Sequence, residues 1–352
     1  MDEKGINVLI IAVIVAIILF GLMIFLHELG HFITARLFGV TVHEFALGMG
    51  PKIVSFGKGA TKYSLRLIPI GGFVRLEGED EASEKEGALS NKPAWQRLII
   101  LVSGAFMNLL LGFLIFLFLN MALGFSTNVV EKVLPDTPAA SAGMEAGDQI
   151  LKMNHTPIHS VSDVKYFFYR NGGEEVDLLL KRGNEKFHVS VTPQEAEGGY
   201  QLGFLGGVEE HPNLFESVRH AYYDTTFVSK VVVLSLKDLL TGKERFSSMS
   251  GPVGIVTTVG EAANQSKWWE GVLSVLSLMG MITVNLGIFN LLPFPALDGG
   301  RAVFALVEMI RRKPVDPEKE GWVHAVGFMA LIALMIAVTW SDIVKLFEGA
   351  YK

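Results

Sequence analysis

His27-Glu28-Leu29-Gly30-His31 is the segment of this sequence whose residue types and spacing can do chemistry. On a helix, residues four apart stand one above the other, with about 5–6 Å between their Cβ atoms. His27 and His31 can therefore offer two imidazoles to one Zn²⁺, while Glu28 between them reaches a water at the ion and acts as general base. The ion lowers that water's pKa to about 7, so a carboxylate can complete the deprotonation at neutral pH. With nine histidines in the chain, a chance match to this pattern has a probability on the order of 1%. The plainer reading is a helix end whose polar residues snorkel to an interface. The setting favours metal chemistry instead, because the string sits in an apolar run. Ionisable groups there cost on the order of several kcal/mol each unless paired.

Two histidines leave a catalytic site one protein ligand short of the usual three. The best candidate is Asp298, in Asn290-Leu291-Leu292-Pro293-Phe294-Pro295-Ala296-Leu297-Asp298-Gly299-Gly300. Pro293 and Pro295 remove backbone donors and break the apolar run. Irregular backbone at membrane depth is tolerated only when buried in protein or lining a wet cavity. Without the upstream histidines, Asp298 would read as the cap of a helix starting near Gly299. Asn290, one turn before the break, can bind a substrate carbonyl or an oxyanion, or bridge two helices; the sequence weights these evenly. Asn108, in Ser103-Gly104-Ala105-Phe106-Met107-Asn108, reads as an interhelical bond beside a close glycine contact. The chain has no cysteine, so zinc must be held by His, Asp or Glu.

The elements that must position these residues follow from composition. Half of the 352 residues are hydrophobic and 19% are charged, with a mean hydropathy of +0.40. Soluble domains carry about 25% charged residues, so the balance points to a membrane protein. A net charge of -6 offers no basic field for nucleic acid. Four stretches approach or exceed the ~20 apolar residues of a membrane-spanning helix. They are Ile6 to Leu26 (continuing through His31 to Phe38), Leu98 to Phe125, Val272 to Leu292, and Trp322 to Trp340 with tryptophans as interfacial anchors. The first is too long for a signal peptide core and lacks a small-residue cleavage site.

Lys and Arg crowd the two short connections. Arg36, Lys52, Lys58, Lys62, Arg66, Arg75, Lys85, Lys92 and Arg97 lie between the first two spans, and Arg301, Arg311, Arg312, Lys313 and Lys319 between the last two. The positive-inside tendency places both connections in the cytoplasm and both termini outside. The expected division is a first span with the metal motif (1–38), a cytoplasmic-side β-hairpin region with an acidic linker (39–94), and a second span (95–125). An extracytoplasmic domain (126–207) and amphipathic region (208–270) follow. Then come a third, broken span (271–300), a cytoplasmic loop (301–321) and a fourth span with its tail (322–352).

Within the hairpin region, Lys62 to Ile68 alternates apolar and polar residues, as strands do. Gly48 and Gly50 permit close backbone approach, and the strands are expected to dip toward the site and pair with substrate as an extended strand. In the external domain, strand-like runs at Val129–Val130, Val176–Leu180 and Phe187–Val191 surround an amphipathic stretch near Val161 to Tyr169. Leu214 to Gly242 reads as an amphipathic helix that rests either on the membrane surface or on that domain.

Together, His27–His31 and Asn290–Gly300 resemble the site-2 protease family of intramembrane metalloproteases. The wider match is to its bacterial regulator-of-sigma-E protease group and covers nearly the whole chain. It includes Gly48-Met49-Gly50-Pro51, Ile70-Gly71-Gly72-Phe73-Val74, Trp95-Gln96-Arg97, Ser250-Gly251-Pro252-Val253-Gly254-Ile255 and Leu297-Asp298-Gly299-Gly300. Ala105 stands where the family usually has Pro, and Phe294 is bulkier than the usual aliphatic residue. The resemblance implies Zn²⁺ held by His27, His31 and Asp298, with Glu28 as acid/base. Thr137 to Ile150 resembles the turn-rich segment of bacterial PDZ domains. Leu202-Gly203-Phe204 resembles the end of their carboxylate-binding loop, whose backbone N–H groups capture a peptide C-terminus; an unoccupied loop on a domain that only blocks large substrates is the equal alternative. Asp148 reads as a turn residue.

The expectation is a mainly α multi-pass protein of the bacterial inner membrane. It has four transmembrane helices, a membrane-associated β-hairpin region and one extracytoplasmic α+β PDZ domain. The activity implied is zinc endopeptidase cleavage of single-span membrane proteins within the lipid bilayer, with pre-cleaved anti-sigma factors or remnant signal peptides as substrates. The alternatives are a membrane-anchored PDZ adaptor without catalysis and a zinc peptidase acting on soluble peptides.

Overall fold

The computed structural model describes residues 3–57, 59–79, 83–196, 199–244, 251–263 and 268–348. Residues 80–82 of the acidic linker and Ser250 of the Ser250–Ile255 motif lie outside them. The chain divides into two compact units, residues 1–116 with 228–352, and residues 117–227.

In the first unit the long apolar runs become helices, since only a helix satisfies its own backbone polar groups in lipid. These are α1 (Glu3–Leu37) and α2 (Ala94–Leu123), whose last turns belong to the other unit, together with α7 (Trp268–Asn290) and α9 (Pro317–Glu348). Each contains a stretch long and apolar enough to cross a membrane. α1 and α2 approach closely where Gly30 faces the Ser103 carbonyl, a contact any Cβ would obstruct. Thr34 Oγ1 and Ser103 Oγ share a hydrogen bond of 3.0 Å beside it.

Between these helices lie β1 (Val42–Phe56) and β2 (Lys62–Leu76), an antiparallel pair in which both strands bend. Glu44 to Leu47 lies against residues 62–65 on one flank and 72–75 on the other, while Lys52 to Phe56 pairs with residues 63–66. Phe25 and Phe32 of α1 pack edge-on against Phe45 at 5.7 and 5.4 Å, locking the sheet to the helix. Buried Glu44 accepts bonds from the Ser64 hydroxyl at 2.6 Å and from Arg66 at 2.9 Å. Burial alone would raise its pKa; these donors, with Lys52, outweigh burial and hold it at about 2.

The second unit is an α+β domain. Its main sheet runs β10 (Phe204–Glu209), β3 (Phe125–Val133), β4 (Gln149–Met153), β6 (Val176–Arg182), β7 (Glu185–Val191), with β5 (Thr156–Pro157) beside β4. Val176, Leu178 and Leu180 point inward at the period of two that a half-buried strand requires. They meet Val164, Phe167 and Phe168 of α4 (Val161–Asn171), which are spaced along one helix face. Ser160 and Asp163 form a capping box that fixes the start of α4. The single turn α3 (Pro138–Ser141) and the small ribbon β8 (Gln194–Ala196) with β9 (Gly199–Gln201) complete the domain. The fully buried Asp148 takes Arg182 in a two-point pair at 2.7 and 2.8 Å and the Glu145 N–H at 2.9 Å. It is a structural turn residue, as its sequence setting suggests.

Residues 208–270, expected as one amphipathic region, divide into α5 (Leu214–Leu240) and α6 (Pro252–Ala263). α6 packs against α1, α7 and α9. Its mixture of Thr257, Thr258 and Glu261 with apolar residues is too polar and too short to read as a span.

Candidate metal centre

His27 and His31 lie on one face of α1, with ring centroids 4.8 Å apart. Along the sequence they fall six to ten residues before the helix ends at Leu37, about 9–15 Å at 1.5 Å rise per residue. Asp298 arrives from the other end of the chain. α7 stops at Asn290, residues 291–297 run irregularly through both prolines, and α8 (Asp298–Arg311) begins at the aspartate itself. The N-cap position belongs to Leu297 and carries no side-chain bond, so the Asp298 carboxylate is not spent on capping.

Instead Asp298 Oδ2 stands 3.1 Å from His27 Nε2 and 3.3 Å from His31 Nε2, and the two ring nitrogens are 3.2 Å apart. The three side chains are 10, 12 and 24% exposed. A triangle of side about 3.2 Å has its centre about 1.9 Å from each corner. An ion needing about 2.0–2.2 Å to nitrogen and oxygen therefore fits just off its plane.

The hydrogen bonding around the triangle fits the same occupant. His31 Nδ1 lies 2.8 Å from the Ile100 carbonyl, which can only accept, so Nδ1 carries a proton and the neutral form of His31 turns its Nε2 lone pair inward. That lone pair faces a carboxylate oxygen that is buried and makes no hydrogen bond of good geometry. A cation between them resolves the conflict. His27 Nδ1 lies 3.3 Å from Asn108 Nδ2, while Asn108 Oδ1 is buried without a partner. Exchanging the two amide atoms by a flip would let Oδ1 accept from His27 Nδ1–H and leave the second Nε2 lone pair inward as well. The interhelical bond expected of Asn108 is present, and its partner is one of the imidazoles. Its neighbour Gly104 closes the third side. A Cβ there would collide with His31 Nε2 and stand 2.7 Å from His27 Nε2, so the glycine keeps clear the space an ion would fill.

Glu28 opens with the three donors onto a cavity of about 440 Å³, also lined by Phe73, Val74, Ala296, Arg301 and His324. A Cβ on Gly72 would come within 3.2 Å of Glu28 Cγ, and Phe73, Val74 and Leu76 of the segment 72–76 line the same cavity as Glu28. One flank of this strand segment pairs with β1; among the described residues nothing pairs with the other. A second cavity of about 620 Å³ shares Glu79, Leu89, Leu101, Arg301 and His324 with the first and extends past Arg97, Glu308 and Asp316. Arg301–Glu79 and Arg97–Glu308 ion pairs line this polar route.

The other expected site residues lie elsewhere. Gly48 and Gly50 have φ of 83° and 81° and shape the bend of β1; Gly48 faces a groove against Ile17, Gly21 and Phe25 of α1. Asn290 ends α7 and is not among the residues lining the metal cavity. In the second unit, Leu202 is buried in the core and its carbonyl accepts from the Ala139 N–H. Peptide planarity then turns the Gly203 N–H away from Ala139. Gly203 has φ of 85° and packs on Thr137, and Phe204 pairs with Val133 at the start of β10. Sequence reasoning missed Gly104 as a wall of the site and His324 altogether. An ionisable residue inside the fourth apolar run was the available signal for His324.

The model of peptidase family M50 matches residues 15–334. A Clostridium perfringens protein named as a zinc metalloprotease is 39% identical over 334 residues, covering 94% of this chain and 98% of that one. The regulator of sigma-W protease RasP of Bacillus subtilis is 31% identical, covering 95% and 99%. Among solved structures, the PDZ domain of an SdrC-like protein from Listeria innocua aligns with 25% of this chain and all of its own, at 23% identity and a TM-score of 0.22.

Proposed function

The chain belongs to peptidase family M50, the site-2 protease family of zinc metalloproteases, and from that premise we propose that it cuts single-span membrane proteins within the bilayer. His27, His31 and Asp298 hold the zinc and Glu28 is the acid/base. The observation that carries this reading is the convergence of two imidazole nitrogens and a carboxylate oxygen, from residues 267 or more positions apart in sequence, on one point beside Glu28.

When bound, zinc supplies Lewis acidity, polarising a peptide carbonyl and acidifying a water. The protein's own residues do the rest. Glu28 takes one proton from the attacking water and delivers it to the departing amine nitrogen, and the water's second proton follows to the same nitrogen, so the cleaved bond ends as a carboxylate and an ammonium. The Ile100 carbonyl keeps His31 in the ligating tautomer, and Asn108, with its amide flipped to present Oδ1, would do the same for His27. The polar route past Arg301 and Glu79 admits water from the cytoplasmic side. Substrate pairs as an extended strand with the open flank of residues 72–76, which brings its backbone alongside Glu28. Gly48 and Gly50 set the bend that allows this. Asn290 bonds substrate or a neighbouring helix.

Four spans and the crowding of Lys and Arg in the two short connections support a topology with both termini and the α+β domain on the outer side of a bacterial cytoplasmic membrane. The domain is read as a single PDZ module. Its Leu202–Phe204 loop either captures a peptide C-terminus or leaves the domain to exclude bulky substrates. The sigma-W regulator in the name of the Bacillus relative points to pre-cleaved anti-sigma factors as a substrate class, beside remnant signal peptides.

The test is Glu28→Gln in purified full-length protein with a single-span substrate. Retained zinc with lost cleavage is expected. Cleavage at the original rate removes Glu28 from its role, and protein purified without zinc favours a PDZ adaptor.

A further inference from the structure

The segment that delivers Asp298 is not self-supporting. Ala296, two residues before the aspartate, has φ of +75°, a left-handed value that side-chain-bearing residues rarely adopt. Its N–H donates to Nδ1 of His324 on α9, at 2.9 Å. One turn along the same helix, Gly327 lies so close to Pro295 that a Cβ would overlap the proline ring. α9 thus grips two consecutive residues of the break, one by a directed hydrogen bond and one by close contact. The Phe304 ring of α8 stands 5.5 Å from the imidazole, and both His324 and Ala296 line the cavity that Asp298 faces.

We propose that His324 is a positioning residue for the metal centre. Its Nδ1 lone pair holds Ala296 in the left-handed turn, and that turn aims the Asp298 carboxylate at the two imidazoles. This rests on the reading of Asp298 as a zinc ligand and goes beyond it. Helix α9, which supplies no ligand, then determines how tightly the ion is held.

The experiment measures zinc affinity of the full-length protein in detergent by competition with a chromophoric chelator. His324→Leu weakens binding about 10–100-fold, the usual cost of losing a group that orients a ligand. His324→Asn, whose Oδ1 falls near the place of Nδ1, recovers most of that loss. His324→Gln, whose oxygen falls nearer the place of Nε2, does not. A double-mutant cycle identifies the route of action: in an Asp298→Ala background the His324→Leu effect disappears. Wild-type affinity in His324→Leu overturns the proposal, as do equal affinities of the Asn and Gln variants or an additive loss in the cycle. If His324→Leu does not fold, the comparison of Asn with Gln decides alone. Unchanged zinc affinity in Asp298→Ala by itself identifies a failure of the underlying metal assignment.

Discussion

Replacing Gly104 by alanine tests whether an ion occupies the space between the imidazoles. The added methyl carbon would stand 2.7 Å from His27 Nε2 and closer still to His31 Nε2. Carbon and nitrogen in van der Waals contact need about 3.5 Å, so about 0.8 Å must be found at His27 and more at His31. α2 has little room to retreat. The Ser103 carbonyl abuts Gly30 of α1, and a Cβ on Gly287 of α7 would stand 3.1 Å from the Ala105 carbonyl. The displacement therefore falls on the ring nitrogens, whereas zinc distances tolerate only about 0.2 Å. The loss should at least equal that from removing an outer-shell partner, ~10–100-fold in affinity, or about 1.4–2.7 kcal/mol. Zinc content after gel filtration and chelator competition measure it, with thermal melting to verify the fold. Compared in the zinc-free state, the melting point should hold, because alanine is the better helix former by about 1 kcal/mol. Gly21→Ala, whose methyl meets nothing within 4 Å, is the control. A folded Gly104→Ala protein with wild-type zinc affinity would refute the placement of the metal.

Chelation should abolish cleavage and added zinc restore it; at 100 times the dissociation constant the ion also stabilises the fold by about 2.7 kcal/mol, read as a rise in melting temperature. Proline at Phe73 or Val74 should lower turnover of an intact transmembrane substrate with zinc content unchanged, and undiminished turnover would count against strand pairing. Glu44 has its pKa depressed to about 2, so its contribution is complete above the unfolded value near 4.3 and drains away as pH falls toward 2. Hydrogen exchange at residues 62–66 should accelerate over that interval, and Glu44→Gln should remove the pH dependence.

The spans and the imidazole pair were legible because each follows from a single periodicity. About 20 apolar residues dictate a membrane helix, and four-residue spacing puts His27 and His31 on one face. Asp298 was a candidate from the break at Pro293 and Pro295, its glycine pair and the family resemblance; its approach depends on the left-handed turn at Ala296 and the grip of α9, and local sequence encodes neither. The hairpin strands were visible in their alternation, yet the two-sided pairing of Glu44–Leu47 was not. It arises where β1 and β2 bend, around Gly48, Gly50 and Gly71, all at positive φ. α6 escaped for a third reason: its partners α1, α7 and α9 are distant in sequence or intrinsically unremarkable as neighbours of a short mixed segment.

The position of the open strand flank constrains what can be cut. A paired strand lies about 4.7–4.9 Å from its neighbour, whereas a helix with its side chains is about 10–12 Å across. Gly72 lies in near contact with Glu28, and Phe73, Val74 and Leu76 line the same cavity. Under the proposed pairing, a peptide added to that flank as a strand would bring its backbone carbonyls toward the donor triangle. An intact helix on the same flank holds its axis about 5 Å or more from the strand, with its carbonyls bonded within itself and sheathed by side chains. On the proposed pairing the strand would do more than guide substrate: it would exchange helix hydrogen bonds for sheet hydrogen bonds, offsetting the cost of unwinding in lipid where unmet backbone groups are expensive. Selectivity would then reside in how readily a segment gives up helix at the depth of Glu28, and the site would need little side-chain recognition around the cleaved bond.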